Sequence, residues 1–292
     1  MLWVRQSCPL RRPDPVSDDA RWLKEQVRRY AVPRHATAEE RANRHTADQL
    51  AQQLAAMGYD VCEQGAFRNV VALPPDRGRG PLTLVCAHYD SVPDTPGADD
   101  NASALAVMLG VARTRPARTA FVAFNREEDG MVGSSDFVRW LARPEAPHFD
   151  QVHVLEMVGY TDPRPGSQRV PPTIPRFLLP RDTGDFIALV GLGAGHSLAA
   201  AVRRTGDGAL GVPPVVSLQA PKALLGWAPD LGRSDHLPFV LGGLPAVMWT
   251  DTAEFRTPHY HQRSDTPETL DYAFMAGVQR LLELHLAEPR AA

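Results

Sequence analysis

Short runs of apolar residues recur from Pro81 onward, and segments with helical spacing separate most of them. The apolar runs read LTLVCA, TAFVAF, VHVL, FIALV and PAVMW, and the helical segments read NASALAVMLGVAR, GSSDFVRWLA and GHSLAAAVRRTG. Nearly continuous apolar strands that alternate with helices are typical of a mostly parallel β-sheet covered on both faces. The pattern therefore predicts an α/β fold with a mixed, mostly parallel sheet sandwiched by helices.

The two ends of the chain carry helical patterns. Residues 18–57 hold two of them, and the second ends at Gly58, a residue type that commonly terminates helices. The alternating stretch DVCEQGAFRNVVALP follows and predicts an antiparallel hairpin or edge pair. A last helix is predicted over TLDYAFMAGVQRLLELHLAE. We expect a single domain over residues 1–292. In it, the helices of residues 1–57 pack on the sheet, and residues 80–275 form the catalytic core that carries the motifs.

A proline-rich stretch interrupts this alternation at residues 161–184, which read TDPRPGSQRVPPTIPRFLLPRDTG. The prolines predict a long loop. Long loops within compact domains often have a function, such as gating a substrate, and a plain surface excursion is the alternative. The pattern alone leaves both interpretations open.

Composition narrows the classes of function. A net charge of -3 gives no reason to expect binding to nucleic acid or to a membrane surface. No run approaches the roughly 20 apolar residues of a membrane span, and the first residues, MLWVRQSCPLRRPDP, lack the apolar stretch of a signal peptide, so we expect a cytoplasmic protein. The three cysteines argue against a disulfide framework, and Cys62 and Cys86 are expected to be buried free thiols.

Acids and a histidine follow the predicted strands. LTLVCA runs into His88, TAFVAF runs towards Glu127 and Glu128, and VHVL runs into Glu156. Because open α/β sheets bind ligands beyond the carboxyl ends of their strands, one sheet edge gathers these acids. They are Asp90, Asp100, Glu127, Glu128 and Glu156. So much negative charge at a partly buried rim is unfavourable without a cation, which predicts a pair of divalent metal ions with histidines nearby.

The residue types also indicate the metal and its chemistry. Imidazole and carboxylate groups, without a cysteine ligand, suit zinc, with cobalt or manganese as substitutes. In the Glu127-Glu128 pair, one carboxylate can coordinate metal while its neighbour takes a proton from metal-bound water. An Asp-Asp-Asn segment is more often a helix cap, so Asn101 or Ser103 is expected to satisfy helix amides while Asp100 faces the metal. Each of these sequence features, taken alone, commonly has a structural role. Their joint occurrence in this order favours a metal site.

Six segments within about residues 80–275 carry a family resemblance. They read AHYDSV, GADDNASA, NREEDGMVGS, LEMVGY, RSDHLPF and HYHQRSDTPETL. Together they resemble the aminopeptidase family of co-catalytic zinc metallopeptidases, which includes bacterial leucyl aminopeptidases, glutamate carboxypeptidase II and the glutaminyl cyclases. The resemblance implies a zinc peptidase domain of the phosphorylase/hydrolase-like fold that holds two zinc ions per chain.

The resemblance also implies a role for each matching position. The implied metal ligands are His88, Asp100, Glu128, Glu156 and His261, with Asp100 as the bridge between the ions. Glu127 is the implied general base, and Asp90 the implied support of the far nitrogen of His88. His259 is a weaker rival of His261. Asp265 could support His261 or form a turn with Thr266, and Asp235 and His236 are implied scaffold or substrate contacts.

Glu156 is a departure, because many members of the family carry aspartate there. Glutamate carries the same ligating carboxylate on a longer side chain. This difference affects the expected distance between the two metal ions and the affinity of the site for one of them. The other positions that the resemblance implies carry groups able to coordinate metal, so an inactive binding module is the weakest alternative.

The leading functional prediction is an aminopeptidase that hydrolyses peptides or amino-acid amides, with zinc-bound hydroxide as the nucleophile and Glu127 as the base. The first alternative is a glutaminyl cyclase-like acyltransferase with a single zinc ion. The second is a carboxypeptidase of the same fold, which needs an arginine for the substrate carboxylate, and Arg126, Arg233 and Arg263 lie in motif segments.

Overall fold

The computed structural model describes residues 17–78, 80–176 and 181–289, and these residues form one mixed β-sheet with helices on both faces. The strands are β1 (Asp60–Gln64), β2 (Asn69–Leu73), β3 (Leu82–His88), β4 (Thr119–Phe124), β5 (Phe149–Glu156), β6 (Ile187–Leu192), β7 (Val215–Ala220) and β8 (Ala246–Thr250). The helices are α1 (Asp18–Tyr30), α2 (Glu40–Ala56), α3 (Ala104–Arg113), α4 (Val132–Trp140), α5 (Gly195–Gly206), α6 (His236–Leu241) and α7 (Tyr272–Ala287).

The order of strands determines which strand ends meet. Across the described sheet the order is β1-β2-β4-β3-β5-β8-β6-β7. The four central strands β4, β3, β5 and β8 are parallel to their neighbours in this group. The hairpin β1–β2 joins β4 in antiparallel fashion, and β6 runs antiparallel to β8. The carboxyl ends of the four central strands therefore lie along one edge, where α/β sheets bind ligands.

Both faces of the central strands are buried, which explains their continuous apolar character. In β3, Val85 and Ala87 pack in the core beneath α1, α2, α3, α5 and α7. Leu84 and Cys86 alternate with them and pack in the opposite core, beneath α4 and α6. Sheet and helices thus form the sandwich that the sequence predicts, and the fold prediction is confirmed.

A few local expectations fail. β7 and α6 were not predicted, because β7 is a half-buried edge strand and α6 has only six residues. Cys86 is buried as expected, but Cys62 is exposed, because it lies on the edge strand β1, where only one end residue is buried. The alternating sequence around Cys62 reflects an edge strand and not burial of the thiol. Cys8 lies outside the described residues.

The proline-rich stretch behaves as predicted in its described parts, residues 161–176 and 181–184. These parts contribute no α-helix and no strand beyond one bridge between Asp162 and Gly184. Across the described ranges, no helix combines the length and the apolar character that crossing a membrane requires. Residues 1–15, on which the prediction about a signal peptide depends, lie outside the described residues.

Candidate metal centre

The sheet places two of the predicted ligands side by side. His88 is the last residue of β3 and Glu156 the last residue of β5. Cys86 pairs with Val154 in the parallel ladder between these strands, so the two ends are level. Glu127 and Glu128 follow the end of β4, on the other side of β3. The strand ends therefore gather an imidazole and three carboxylates at one edge.

One group of three side chains, which we call the inner group, consists of His88, Asp100 and Glu156. His88 Nε2 lies 3.3 Å from Asp100 Oδ1 and 3.5 Å from Glu156 Oε2. The three residues are only 1%, 5% and 9% exposed, respectively. One ligand atom from each lies within 4.8 Å of the others, close enough to hold a single ion.

A second group, the outer group, consists of Asp100, Glu128 and His261. His261 Nε2 lies 3.2 Å from Asp100 Oδ2 and 3.4 Å from Glu128 Oε2. Its side chain is 35% exposed, and the residue lies in the loop after β8. The two oxygens of Asp100 thus face the two groups separately, as a bridge between two ions requires.

Unpartnered polar atoms indicate that the site fits metal ions. Among the described residues, the buried atoms His88 Nε2 and Glu128 Oε1 have no hydrogen-bond partner. Burying such atoms without a partner is costly, and a bound cation removes that cost. Imidazole and carboxylate donors in groups of three are the usual ligands of zinc. The residues present therefore fit a pair of divalent ions.

The electrostatics of the site lead to the same conclusion. Burial, reinforced by the nearby charge of Asp100, raises the pKa of Glu128 to about 9. Burial also raises the pKa of Glu156. Burial alone would lower the pKa of His88, but the surrounding carboxylates outweigh it and raise that pKa well above its usual value. Asp100 is the exception: burial would raise its pKa, but the two histidines that face it, His261 and His88, outweigh burial and lower that pKa. The carboxylates are in surplus over the cations that face them.

Asp90 lies where the sequence predicts a support for His88. Its backbone carbonyl lies 3.2 Å and its Oδ1 3.4 Å from His88 Nδ1, the nitrogen that faces away from the inner group. Its two carboxylate oxygens also accept hydrogen bonds from the amides of Glu127 and Glu128, each at 3.2 Å. Asp90 therefore links the end of β3 to the turn after β4. Burial raises the pKa of Glu127 well above its usual value.

The turn that carries Asp100 is held by side chains in an unpredicted way. Gly97 has a φ of 58°, and a Cβ there would overlap the carbonyl oxygen of Asp100. Asn101 donates to the carbonyl of Leu155 (3.0 Å) and accepts from the amide of Met157 (3.0 Å). The prediction that Asn101 or Ser103 caps a helix is therefore wrong, because α3 has no side-chain cap in the structure. These side chains bind the turn to the backbone around the end of β5 instead.

Ser103 makes the same kind of link, since its hydroxyl accepts from the amide of Val158 at 3.1 Å. Asp265 adds a third support. Its carboxylate accepts from the amides of Asp99 (2.8 Å) and Asp100 (3.1 Å). Neither predicted role of Asp265, a support of His261 or a turn with Thr266, describes this contact. Asp265 positions the bridging residue rather than a histidine.

The remaining candidates lie close to the site but outside both groups. His259 Nδ1 lies 2.9 Å from Ser264 Oγ, so the rival of His261 is engaged elsewhere. Asp235 and His236 are fully buried. Their neighbour Ser234, which sequence reasoning missed, donates to Glu156 Oε2 at 2.8 Å. The signal for Ser234 was its place in the RSDHLPF segment.

An apolar cavity of about 110 Å³ opens beside Glu156. Its walls come from β6, β7 and β8, and its rim carries Arg233, Glu254 and Tyr260. The apolar wall residues include Ala188, Val190, Val216, Leu218 and Met248. Pro171 and Ile174 of the proline-rich stretch complete the lining. That stretch therefore forms a wall of the cavity next to the inner group.

Comparison with known protein sequences gives three matches of note. The sequence model of peptidase family M28 matches residues 69–177. The uncharacterized protein YfbL of Escherichia coli is 34% identical over 296 residues, which cover 91% of this chain and 85% of YfbL. Aminopeptidase YwaD of Bacillus subtilis is 37% identical over 99 residues, which cover 32% of this chain and 22% of YwaD.

Solved structures with the same fold include two aminopeptidases and a cyclase. The LapA aminopeptidase of Legionella pneumophila matches with a TM-score of 0.71 at 18% identity, over 91% of this chain and 70% of LapA. BSAP, a zinc aminopeptidase from Bacillus subtilis, matches with a TM-score of 0.56 at 24% identity, over 75% and 49%. Porphyromonas gingivalis glutaminyl cyclase matches with a TM-score of 0.65 at 21% identity, over 92% and 99%. At these identities the likeness concerns the fold alone.

Proposed function

Because the chain belongs to peptidase family M28, we propose that it is a zinc-dependent aminopeptidase that removes N-terminal residues from peptides. The observation that carries the proposal is the pair of ligand groups that share Asp100, with an apolar cavity directly beside Glu156. Metal and cavity together suit a substrate whose reacting carbonyl lies at the ions while its apolar side chain enters the cavity.

The same geometry supports the proposal of two zinc ions per chain. The inner and outer groups each offer three ligand atoms within 4.8 Å of one another, and each uses a different oxygen of Asp100. The zinc aminopeptidase among the fold neighbours supports the choice of metal. In the proposal, His88 and Glu156 hold one ion, and Glu128 and His261 hold the other.

The chemistry divides between the metal and the chain. Zinc held by the two groups would polarise the scissile carbonyl and would lower the pKa of a bound water to about 7. Glu127 accepts the proton of the attacking water and delivers it to the leaving amine, the usual role of a buried carboxylate base. Burial of Glu127 raises its pKa, which suits a group that must hold a proton between these two steps. Asp90, bonded to the amides of Glu127 and Glu128, keeps this turn in place.

Charge favours a free amino terminus over a free carboxylate. The surplus carboxylates of the site attract a substrate ammonium group. The three arginines that could bind a carboxylate are each paired with an acid: Arg126 with Asp129, Arg233 with Glu254, and Arg263 with Asp94. These pairs are partly or largely exposed and therefore weak, so the surplus of carboxylates at the site is the stronger argument. The contacts therefore support an aminopeptidase over a carboxypeptidase.

The second candidate is an acyltransferase that cyclises an N-terminal glutamine with one zinc ion. Coverage favours it, since the fold match spans 99% of the Porphyromonas gingivalis cyclase and only 70% of the LapA aminopeptidase. The two complete ligand groups favour the peptidase. Metal content and products separate the two candidates.

The test is a panel of three peptides, with a free leucine terminus, a blocked leucine terminus and a glutamine terminus, each assayed with and without chelator. The proposal expects cleavage of the free leucine peptide alone, lost with chelator, at two zinc ions per chain. Glu127→Gln should reduce turnover by about 10²- to 10⁴-fold with zinc retained. Asp94→Asn, which changes an exposed carboxylate nearby, is the matched control and should retain activity.

Cyclisation of the glutamine peptide at one zinc ion per chain would replace the proposal by the second candidate. Cleavage of the blocked peptide at a comparable rate would exclude an aminopeptidase.

A further inference from the structure

The connection between α1 and α2, together with the first turn of α2, lies beneath the metal centre. We call residues 32–43 the connector. It precedes the region that matches the family model, residues 69–177, and it carries none of the predicted ligands. Its side chains nevertheless contact the loop after β3 and the turn after β4, which together carry most of the candidate site.

Arg34 makes the contacts to the first loop. Its side chain is fully buried, and its guanidinium donates to three carbonyls of that loop. The acceptors are Tyr89 (2.7 Å from Nε), Pro96 (2.6 Å from Nη1) and Gly97 (3.0 Å from Nη2). These carbonyls lie beyond His88 and just before Asp100. The planar fork of an arginine therefore fixes the path of the chain between two proposed ligands.

Arg34 also places a positive charge among acids. The carboxylates that act on it are, in order, Asp100, Asp90, Asp265 and Glu128. Burial lowers the pKa of Arg34 to about 10, and these acids oppose that change, so the side chain stays charged at neutral pH. The charged Arg34 side chain therefore offsets part of the negative charge of the site.

Asn43 makes the contacts to the second turn. Its Nδ2 donates to the carbonyl of Arg34 and to Asn125 Oδ1, both at 2.9 Å. Asn125 Nδ2 donates back to Asn43 Oδ1 at 3.1 Å. This reciprocal amide pair is buried, and Asn125 stands two residues before Glu127. His35 adds a contact at the outer end of the same turn, where its Nε2 lies 3.4 Å from Asp129 Oδ1.

We propose that Arg34 and Asn43 are positioning residues of the metal centre. They hold the loop of His88 and Asp100 and the turn of Glu127 and Glu128 at one spacing, although neither touches a ligand atom. The inference depends on the proposed function only for the presence of zinc. Several buried hydrogen bonds to both segments fix their spacing in this way, because losing one of them leaves a buried polar group with fewer partners.

The test measures zinc affinity of the full chain by competition with a chelator, beside the thermal unfolding of the metal-free protein. The variants are Arg34→Lys, which keeps the charge and loses the fork, and Asn43→Ser, which removes the link to Asn125. Residues that only support metal ligands change affinity by about 10- to 100-fold, and we expect a loss in that range for Arg34→Lys. Asn43→Ser, the milder change, should show a smaller loss in the same direction and remains informative if Arg34→Lys does not fold.

Leu198→Ala is the control for a general loss of stability. Leu198 lies on α5 and is buried against the sheet, and it carries none of the contacts of the site, so its truncation should lower the unfolding temperature and leave zinc affinity unchanged. Zinc affinity that is unchanged in both connector variants, or that falls equally in Leu198→Ala, would overturn the inference.

Different outcomes would overturn the proposed function and the positioning role. A wild-type chain that binds zinc and cleaves no peptide would overturn the aminopeptidase proposal and leave the positioning role intact. A wild-type chain that binds no zinc would overturn both.

Discussion

The inner group of the metal centre stands on strand ends, whereas the outer group depends on a loop. His88 and Glu156 end two neighbouring parallel strands, and backbone ladders fix where they lie. His261 lies in the loop after β8 with a φ of 56° and a side chain 35% exposed. The two groups share Asp100, yet their remaining ligands are positioned by different kinds of interaction.

The outer histidine is held by neighbouring side chains. The ring of Tyr260 stacks on that of His261 with centroids 3.7 Å apart, and Arg233 Nη2 donates to the hydroxyl of Tyr260 at 3.0 Å. Arg233 is in turn paired with Glu254. Partly exposed pairs of this kind contribute little and are screened by salt. For the proposed pair of ions, this difference predicts that the inner ion is held tightly and that the outer ion exchanges more easily.

The largest effect should come from the residue that the two groups share. Asp100→Asn removes the charge that faces both groups, so both ions should be lost and activity should fall to the level without enzyme. Metal analysis after dialysis measures this. An Asp100→Asn chain that still held two zinc ions would mean that the groups do not share a bridge.

The next effect separates the two groups. His88→Ala should lower zinc affinity by more than the roughly 100-fold reached by residues that only support ligands. His261→Ala should leave one zinc ion per chain after dialysis, because the inner group stays complete. His259→Ala is the matched control, because His259 is a partly exposed histidine in the same loop. This variant should retain both ions. Equal losses in His88→Ala and His261→Ala would remove the distinction between the groups.

A smaller effect tests how the long arm of Glu156 is positioned. Ser234 donates to Glu156 Oε2, so Ser234→Ala frees the carboxylate to adopt other rotamers. We expect zinc affinity of the inner group to fall by about tenfold. Ser264→Ala, which removes a hydroxyl bonded only to His259 Nδ1, should leave affinity unchanged. The readout is chelator competition followed over both binding steps.

The smallest effect concerns the metal-free protein and pH. The pKa of Glu128 rises from 4.5 to about 9 on folding, so between these values the folded chain binds more protons than the unfolded chain. Stability therefore falls as the pH rises through this window. The raised pKa of His88 acts in the same direction, because its contribution is present at low pH and lost at higher pH.

We expect the metal-free chain to lose stability between pH 5 and pH 9, seen as a fall in its unfolding temperature. Zinc takes the place of the protons, so the gap between the zinc-bound and the metal-free protein should widen over the same range. Calorimetry at pH 5, 7 and 9 measures both. A metal-free chain that became more stable towards pH 9 would contradict the electrostatic account.

Much of the geometry of the candidate site could be predicted from the sequence, because the carboxyl ends of parallel strands meet at one edge of a sheet. His88, Glu128 and Glu156 follow apolar runs, and parallel pairing is enough to bring such ends together. The position of His261 depended on the resemblance, and the structure does bring it, rather than His259, to Asp100. The metal-binding role of these residues stays a prediction.

The supporting contacts could not be predicted in the same way. Arg34 lies in a short connection between two helices. The residues around it in the sequence give no sign that its side chain is buried against a loop that lies 55 residues further along the chain. Ser234 acts through one hydrogen bond and Asp265 through two, and their partners depend on how distant loops cross. Local patterns report periodicity and strand ends, whereas these contacts are set by the tertiary path of the chain.

The cavity beside Glu156 has a consequence for how such a chain can diversify. Apart from His261, the proposed ligands and the base lie within residues 88–156, whereas the other residues that line the cavity lie within residues 168–260. Most positions of the cavity lining can therefore change without replacing a proposed ligand or the base. The preferred side chain of the substrate can thus change while the reacting groups stay the same.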